Sequence, residues 1–431
     1  MNNKYTTIIG LEVHIEPNTN SKMFCSCPQD HFGKQANTQT CPICLGLPGA
    51  LPFANSQAIE KTIKLGLALG SKISKKSIFY RKHYFYSDLP KSFQTSQKDN
   101  PFCVGGELLS KKIDHIHLEE DAGKLIHQVV DGKKVSLIDF NRSGCALIEL
   151  VTKPVFNEID EVLSFLRELQ LIARYLNISN ADMEKGTMRL EANISLSKDG
   201  QLPNYKVELK NINSFRFLEK ALKAEIKRQS EALDKGLKLE QETRGYDETT
   251  QTTFSQRTKS GSDDYRYFPE ADLPPIETSD EDIKRIQGSI PELPNEKRIR
   301  FKTQYNISKD FIEILVSDPS RASYFEEAAK FDNNYKLIAN LMVNKKMDSE
   351  FREPAGLIKK IKEIETTEFA TPNDVETAVS SVILENPDIV TSYKNGKGQV
   401  IGFLIGQAQK KLQGKANPKE LNDILLKFLN K

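Results

Sequence analysis

The sequence predicts an α+β protein in which an antiparallel sheet is built first and helices follow. Three observations predict it. Up to roughly Glu270 the chain contains short segments that alternate apolar and polar residues, the period of a half-buried strand. These segments are interrupted by only a few amphipathic helices, and nothing indicates parallel βαβ winding. From Pro294 onward helical periods dominate without a clear strand.

Taken in chain order, strands are expected at 6–16, 113–119, 134–140, 187–196 and 206–209. Ile159, Val162, Leu163, Leu166, Leu169 and Ile172 follow helical spacing. So do Phe217, Ala221, Ala224, Ile226 and Leu233, in a helix that stops at Gly236. The prolines around Leu273 and Ile290 break the chain before the helical region, and a weaker boundary falls at 366–372, ahead of a new helix, DVETAVSSVILE. With 431 residues, 38% hydrophobic, 28% charged and no apolar run near the roughly 20 residues of a membrane span, two or three soluble domains and no membrane partner are expected.

The densest chemistry lies near the N-terminus. Cys25 and Cys27 form one pair, thirteen residues intervene, and Cys41 and Cys44 form a second. Two pairs of thiolates on tight turns can close a tetrahedral zinc site, and the polar loop between them has no apolar period with which to build a core. The chain opens directly into MNNKYTTIIGLEVH without a secretory or Arg-rich leader, which favours structural zinc over disulfides and a bacterial cytoplasmic location. Cys103 and Cys145 stand alone and read as buried thiols.

Glu12 and His14 sit two apart in GLEVHIE, so both point to one face of a strand, and Glu16 can join them. HIHLEEDAGK groups Glu119, Glu120, Asp121 and Lys124, and LIELV isolates Glu149 among apolar residues. Such a set suits a magnesium or manganese ion that also holds phosphates. Ion pairs with Arg81, Lys82, Lys91 or Arg142 explain the same positions, and pattern alone favours them. No P-loop or G-x-G-x-x-G is present, so an ATP site would have to use metal and basic side chains, namely Arg81, Lys82, Lys91, Lys124 and Arg142. YRKHYFYSDLPKSFQTSQ interleaves basic and aromatic residues, as does DDYRYFPEADLPP; this suits base stacking, and equally a half-buried sheet. The net charge of +2 hides a basic end, where 390–431 carries eight lysines against Glu420 and Asp423: either a solvated helix face or a set of phosphate contacts.

In this order, GLEVH, SKMFC, CPICLGLPGALP, YRKHYFYSDLPKSFQTSQ, HLEEDAGK, DFNRSG, KNINSFR, QETRGYDE and DDYRYFPEADLPP closely resemble the B-subunit family of the GatCAB tRNA-dependent amidotransferases. The similarity runs from Thr6 to about Pro294 and resumes in YKNGKGQVIGFLIGQAQKKLQGKANP. The resemblance implies a cradle domain of the glutamine synthetase/guanido kinase type at 1–290, a helical domain at 291–365 and a small tRNA-contacting helical tail at 366–431. It implies ATP-dependent phosphorylation of the side-chain carboxylate of misacylated Glu-tRNA(Gln), Asp-tRNA(Asn) or both. Amidation follows, by ammonia channelled from the amidase, or A, partner of a heterotrimer whose small C partner clasps A to B. Carried over by motif, Glu12, His14, Glu120 and Glu149 are the expected magnesium ligands, the four paired cysteines a structural zinc site, and Lys82 and Lys91 the contacts to phosphate or carboxylate. Lys124 and Arg142 complete the expected phosphate contacts, and Lys410, Lys411 and Lys415 are the expected tRNA contacts.

The sequence departs from the family pattern in three places. Cys145 and Ala146 replace a usual Thr-Pro, which bears on the turn before Glu149; Glu191 stands where Asp is typical and is left out of the expected site; 318–368 reads as shorter than usual. Two other readings are weighed. An archaeal GatE-type protein would need an inserted domain for which DYRYFPEADLPP leaves no room, and a non-catalytic RNA-binding scaffold would need no clustered ligands.

Overall fold

A computed structural model describes residues 4–258, 265–365 and 370–429. The expected boundary at 366–372 falls partly outside them, as do Asp263, Asp264 and Lys431. The chain divides into two compact units, Met1–Arg300 with Val316–Pro319 and Phe301–Leu315 with Ser320–Lys431.

The first unit begins with β1 (Thr6–Ile15), α1 (Ser56–Ala68), β2 (Lys72–Ile73), β3 (Lys76–Ser77), β4 (Tyr80–His83), β5 (Phe93–Ser96), β6 (Cys103–Val104) and β7 (Glu107–Leu108). It continues through β8 (Lys111–Glu120), β9 (Lys124–Val130), β10 (Lys133–Asp139), β11 (Ala146–Thr152), α2 (Ile159–Tyr175), β12 (Met188–Ser197), β13 (Val207–Ile212) and α3 (Phe215–Asp234). It closes with β14 (Glu242–Asp247), β15 (Thr252–Thr258), β16 (Phe268–Pro269), β17 (Ile276–Glu277), α4 (Asp280–Gly288) and α5 (Pro294–Arg300).

Among the described residues the main sheet has ten strands in the order β15-β14-β13-β12-β1-β11-β8-β6-β2, with β7 paired to β8. Its pairings are antiparallel except β13 with β14, the two strands that α3 separates in the chain. The strand and helix expectations are matched to within a few residues, because each of those segments is long enough to show its period.

Alternation decides the two faces of the sheet. Leu11, Val13 and Ile15 of β1, Ile116 and Leu118 of β8, Ile148 and Leu150 of β11 and Leu190, Ala192 and Ile194 of β12 are buried in one apolar core. Val162, Phe165, Leu166, Leu169 and Ile172 of α2 and Leu218, Ala221 and Leu222 of α3 join that core. The helices therefore cover one face, and the intervening residues of the same strands are left on the other. A capping box of Glu158 with Glu161 starts α2, and the Ser214 side chain caps α3. On the covered face α1 lies so close to β6 that a Cβ on Gly66 would come within 2.3 Å of the Cys103 sulfur.

The second unit is helical: α6 (Lys309–Val316), α7 (Pro319–Ala329), α8 (Tyr335–Lys345), α9 (Met347–Glu350), α10 (Pro354–Glu365), α11 (Pro372–Glu385), α12 (Pro387–Lys394), α13 (Ile401–Lys411) and α14 (Pro418–Leu429). Thr371 and Asp374 make the capping box that starts α11. Val375, Val379 and Val382 of α11, Leu404 and Ala408 of α13 and Leu421, Leu425 and Leu429 of α14 form a small core of their own.

Gly66→Ala is expected to destabilise the protein by about 1–3 kcal/mol through overpacking against Cys103, and Cys103→Ala in the same chain to recover most of the loss. Urea midpoints of the two single variants and the double variant check this.

Candidate active site

The uncovered face of the sheet is charged. Register sets Glu12 opposite Glu191 and His14 opposite Arg189 across β1 and β12, and His14 opposite Glu149 across β1 and β11. Glu149 in turn faces His117 across β11 and β8, and Asn193 faces Glu208 across β12 and β13. Two groups result. Ligand atoms of His14, Glu119 and Glu149 lie within 4.8 Å of one another, and so do those of Glu12, Glu191 and Glu208. His14, Glu119 and Glu149 of the first group and Glu12 and Glu191 of the second border a cavity of about 230 Å³ that Lys82, Tyr84, Asp121, Arg189 and Lys210 also line.

Like charges at this density perturb one another. Burial, and then the charges of Glu149, Glu191 and Glu208, raise the Glu12 carboxyl, although Asn193 Nδ2 donates to it at 2.8 Å. Burial opposes ionisation of Glu149 as well, but the imidazoles of His117 and His14, at 3.2 and 3.4 Å, hold it well below the ordinary carboxylate range. The reverse holds for the imidazoles: burial would lower them, yet Glu149 beside them raises His14 to about 9 and His117 to about 10. Lys82 is opposed by burial and raised by Glu119 and other neighbours, so it stays charged, with Nζ 4.9 Å from the Tyr265 ring centre. Lys210 bridges Glu191 at 2.9 Å and Glu208 at 3.4 Å. Arg189 is gripped by both Asp121 oxygens. A cluster rich in carboxylate oxygen, with Asn193 Oδ1 and His117 Nδ1 buried and unbonded, has the donor chemistry for a hard divalent cation.

The sequence-predicted residues divide. Glu12, His14 and Glu149 line one cavity, His14 and Glu149 in one ligand group and Glu12 in the other; Glu149 is delivered in register with β1 despite the Cys145-Ala146 departure. Glu120 is not with them. Adjacent strand residues point to opposite faces, so Glu119 joins His14 and Glu149, while Glu120 accepts from Lys91 Nζ and from the Thr95 amide at 2.8 Å. Lys91 and Glu120 line a separate cavity of about 230 Å³ with Cys25, Cys44, Phe93 and Arg81. Lys82 lines the charged cavity. Arg142 donates to the carbonyls of Ala122 and Gly123, and Lys124 is exposed at the start of β9. In the tail, Lys410 and Lys415 are exposed, whereas Lys411 donates to Glu385 and Ser381. Sequence reasoning missed Glu208, Arg189 and Lys210, and it grouped Glu119 with Glu120 but carried over only Glu120 by motif. Period two through HIHLEE signals Glu119 beside His117; Glu191 was set aside for its length.

Residues 7–284 match the family described as the GatB/GatE catalytic domain, and residues 347–429 match the one described as the GatB domain. The chain is 40% identical to the B subunit of the aspartyl/glutamyl-tRNA(Asn/Gln) amidotransferase of Brachyspira hyodysenteriae, covering 99% of this chain and 100% of that protein. It is 39% identical to the same-named protein of Clostridium beijerinckii, covering 99% of each. The chain belongs to the GatB family. As a GatB-family protein it is one component of a ligase of the amidotransferase class. The Brachyspira alignment spans 483 positions against the 431 residues of this chain, so parts of that relative have no counterpart in this GatB-family member.

The four paired cysteines of this GatB-family chain also converge, their sulfurs within 4.8 Å of one another. The Cys41 amide donates to Cys44 Sγ at 3.2 Å, and the fully buried Lys22 ammonium lies 3.8 Å from the same sulfur. Cys44 is thereby held down to about 5, first by hydrogen bonding from Cys25, while burial and Cys41 push Cys27 up to about 11. Four soft donors beside a buried cation fit a closed structural zinc site. Lys22 also donates to Ser143 O at 2.8 Å, and Gly144 (φ 79°) leaves room for Cys44, so the knuckle is keyed to the turn that starts β11. Cys103 and Cys145 are fully buried, as expected.

Two outcomes follow. Cys41→Ser with Cys44→Ser is expected to remove zinc from the purified protein and to lower its thermal midpoint, with metal content read by mass spectrometry; a wild type purified without metal would refute the site. In chelator, His14 and His117 hold protons more tightly folded than unfolded. Their contribution is full below pH of about 6.5 and disappears as pH rises through about 9 to 10. The metal-free protein is therefore expected to be more stable at pH 6.5 than at 9.5, with a smaller difference in His117→Gln, read from urea midpoints.

Proposed function

We propose that this chain uses ATP to phosphorylate the free side-chain carboxylate of the amino acid on Glu-tRNA(Gln), Asp-tRNA(Asn) or both, preparing it for amidation by ammonia from an amidase partner. The observation that carries this reading is the pair of ligand groups, His14 with Glu119 and Glu149 and Glu12 with Glu191 and Glu208, of which all but Glu208 line a single cavity. The names of the relatives support the tRNA-linked substrate. The antiparallel sheet, covered by helices on one face and charged on the other, suits a cradle of the glutamine synthetase/guanido kinase type.

Glu12, His14 and Glu149 would hold magnesium, with Glu119 taking the place that motif reading gave to Glu120. Bound there, the cation would neutralise charge on ATP phosphates, chemistry that a chain without a P-loop needs from metal and basic side chains. Lys82, kept charged by the acidic wall, can bind the transferring phosphoryl group or the attacking carboxylate. Arg189, fixed by Asp121, presents a second immobile positive charge. The carboxylate oxygen attacks the γ-phosphorus and ADP departs, leaving an acyl phosphate that must meet ammonia before water. The cavity at Lys91 and Glu120, on the opposite face of β8, offers a polar approach for ammonia. In this reading the chain works in the cytoplasm with its A and C partners, and Lys410 and Lys415 contact tRNA.

Release of γ-phosphate by the complex with the A and C partners is expected to require Glu-tRNA(Gln) and to fall by about 100-fold or more in Glu12→Ala and Glu119→Gln. Glu120→Gln should keep phosphate release but lose glutamine-dependent amidation. Tight tRNA binding by a wild type with no ATP turnover would overturn the kinase reading in favour of an RNA-binding scaffold.

A further inference from the structure

Between β4 and β5 the chain places two large aromatic side chains in solvent, Phe85 at 77% and Tyr86 at 62% exposure. Their neighbours on both sides are tied to the charged cavity. Lys82 and Tyr84 line it, and Tyr84 is fixed by its hydroxyl, which donates to Gln94 at 3.1 Å. On the other side the Gly123 amide donates to Asp88 O at 2.9 Å, and Ala122, next to Gly123, lines the same cavity. The Leu89 amide donates to Tyr86 O at 3.1 Å, closing the segment into a turn. Consecutive Cα atoms are about 3.8 Å apart, so the backbone of Phe85 and Tyr86 lies within two residues of the cavity-lining Tyr84. The rings beneath them are already used: Tyr84 packs on Tyr265, and Lys82 lies over both. Exposed aromatics beside fixed positive charge are the components with which proteins hold single-stranded nucleotides.

We propose that Phe85 and Tyr86 form a stacking platform for the 3′-terminal nucleotides of the aminoacylated tRNA. This rests on the function proposed above: the side-chain carboxylate to be activated belongs to an amino acid whose α-carboxyl is esterified to the terminal ribose, so when it enters the cavity the terminal base must lie close by.

Binding of uncharged tRNA to the complete heterotrimer tests the platform without any catalytic step. Four affinities are compared: wild type and F85A/Y86A, each with full-length tRNA and with tRNA lacking its terminal nucleotide. Each change alone is expected to weaken binding on the order of 5- to 100-fold, and the two together to weaken it no further. Phe85→Tyr should keep wild-type affinity. Independent, multiplying losses, or no loss in F85A/Y86A, would overturn the proposal. Failure of F85A/Y86A to retain its A and C partners would also overturn it, because the aromatics would then hold the heterotrimer together. A raised KM for ATP with unchanged tRNA affinity would assign them to the nucleotide. Because the readout is binding, absence of phosphate release would refute the kinase reading while leaving this one intact.

Discussion

Five carboxylates share one face of five adjacent strands, and the rest of the first unit is arranged around that concentration of like charge. Such a face is tolerable only if its charge is answered, and the structure answers it from within through two imidazoliums, Lys82, Lys210 and Arg189. The answer is incomplete. Glu12 is left with a raised carboxyl, and polar atoms of His117 and Asn193 stay buried and unbonded. Stability alone would not select this arrangement; a cation and a phosphate-bearing ligand would. The covered face makes it possible, since the core shared with α1, α2 and α3 fixes the strands whose other sides carry the charge.

How much of this was legible in the sequence depended on distance along the chain. The convergence of the four paired cysteines was legible because they lie within twenty residues of one another and spacing alone brings them near. Long strands and helices were legible because ten or more residues show a period. Strands of two residues, such as β2, β3 and β7, show none and were missed. The site itself was half legible. Glu12 and His14 belong to one strand, but which other residues face them depends on strand order and register, which no single segment records. Motif reading chose Glu120; strand geometry chose its neighbour, because one residue's shift moves a side chain through the sheet. Glu208 and Lys210 lie on a strand that reaches the site only through the pairing of β13 with β12.

The knuckle and the charged face meet through a single turn. Lys22 reaches both the Cys44 sulfur and the Ser143 carbonyl, and three residues after Ser143 the chain enters β11, which carries Glu149. A site that looks peripheral thus fixes the entry of a central strand. Its metal would act on the placement of a carboxylate that it never touches.

The position of β1 has a consequence in time. This strand precedes every other described strand in the chain yet occupies the interior of the sheet, with both neighbours far downstream: Glu12 pairs with Val151 on one side and Glu191 on the other. At typical synthesis rates those partners follow on the order of ten to thirty seconds later. Throughout that interval an apolar strand with two open edges has no native place to go, and its slow, long-range closure sets the pace of folding. Nascent chains of this protein therefore need shelter for their first segment longer than for any later one.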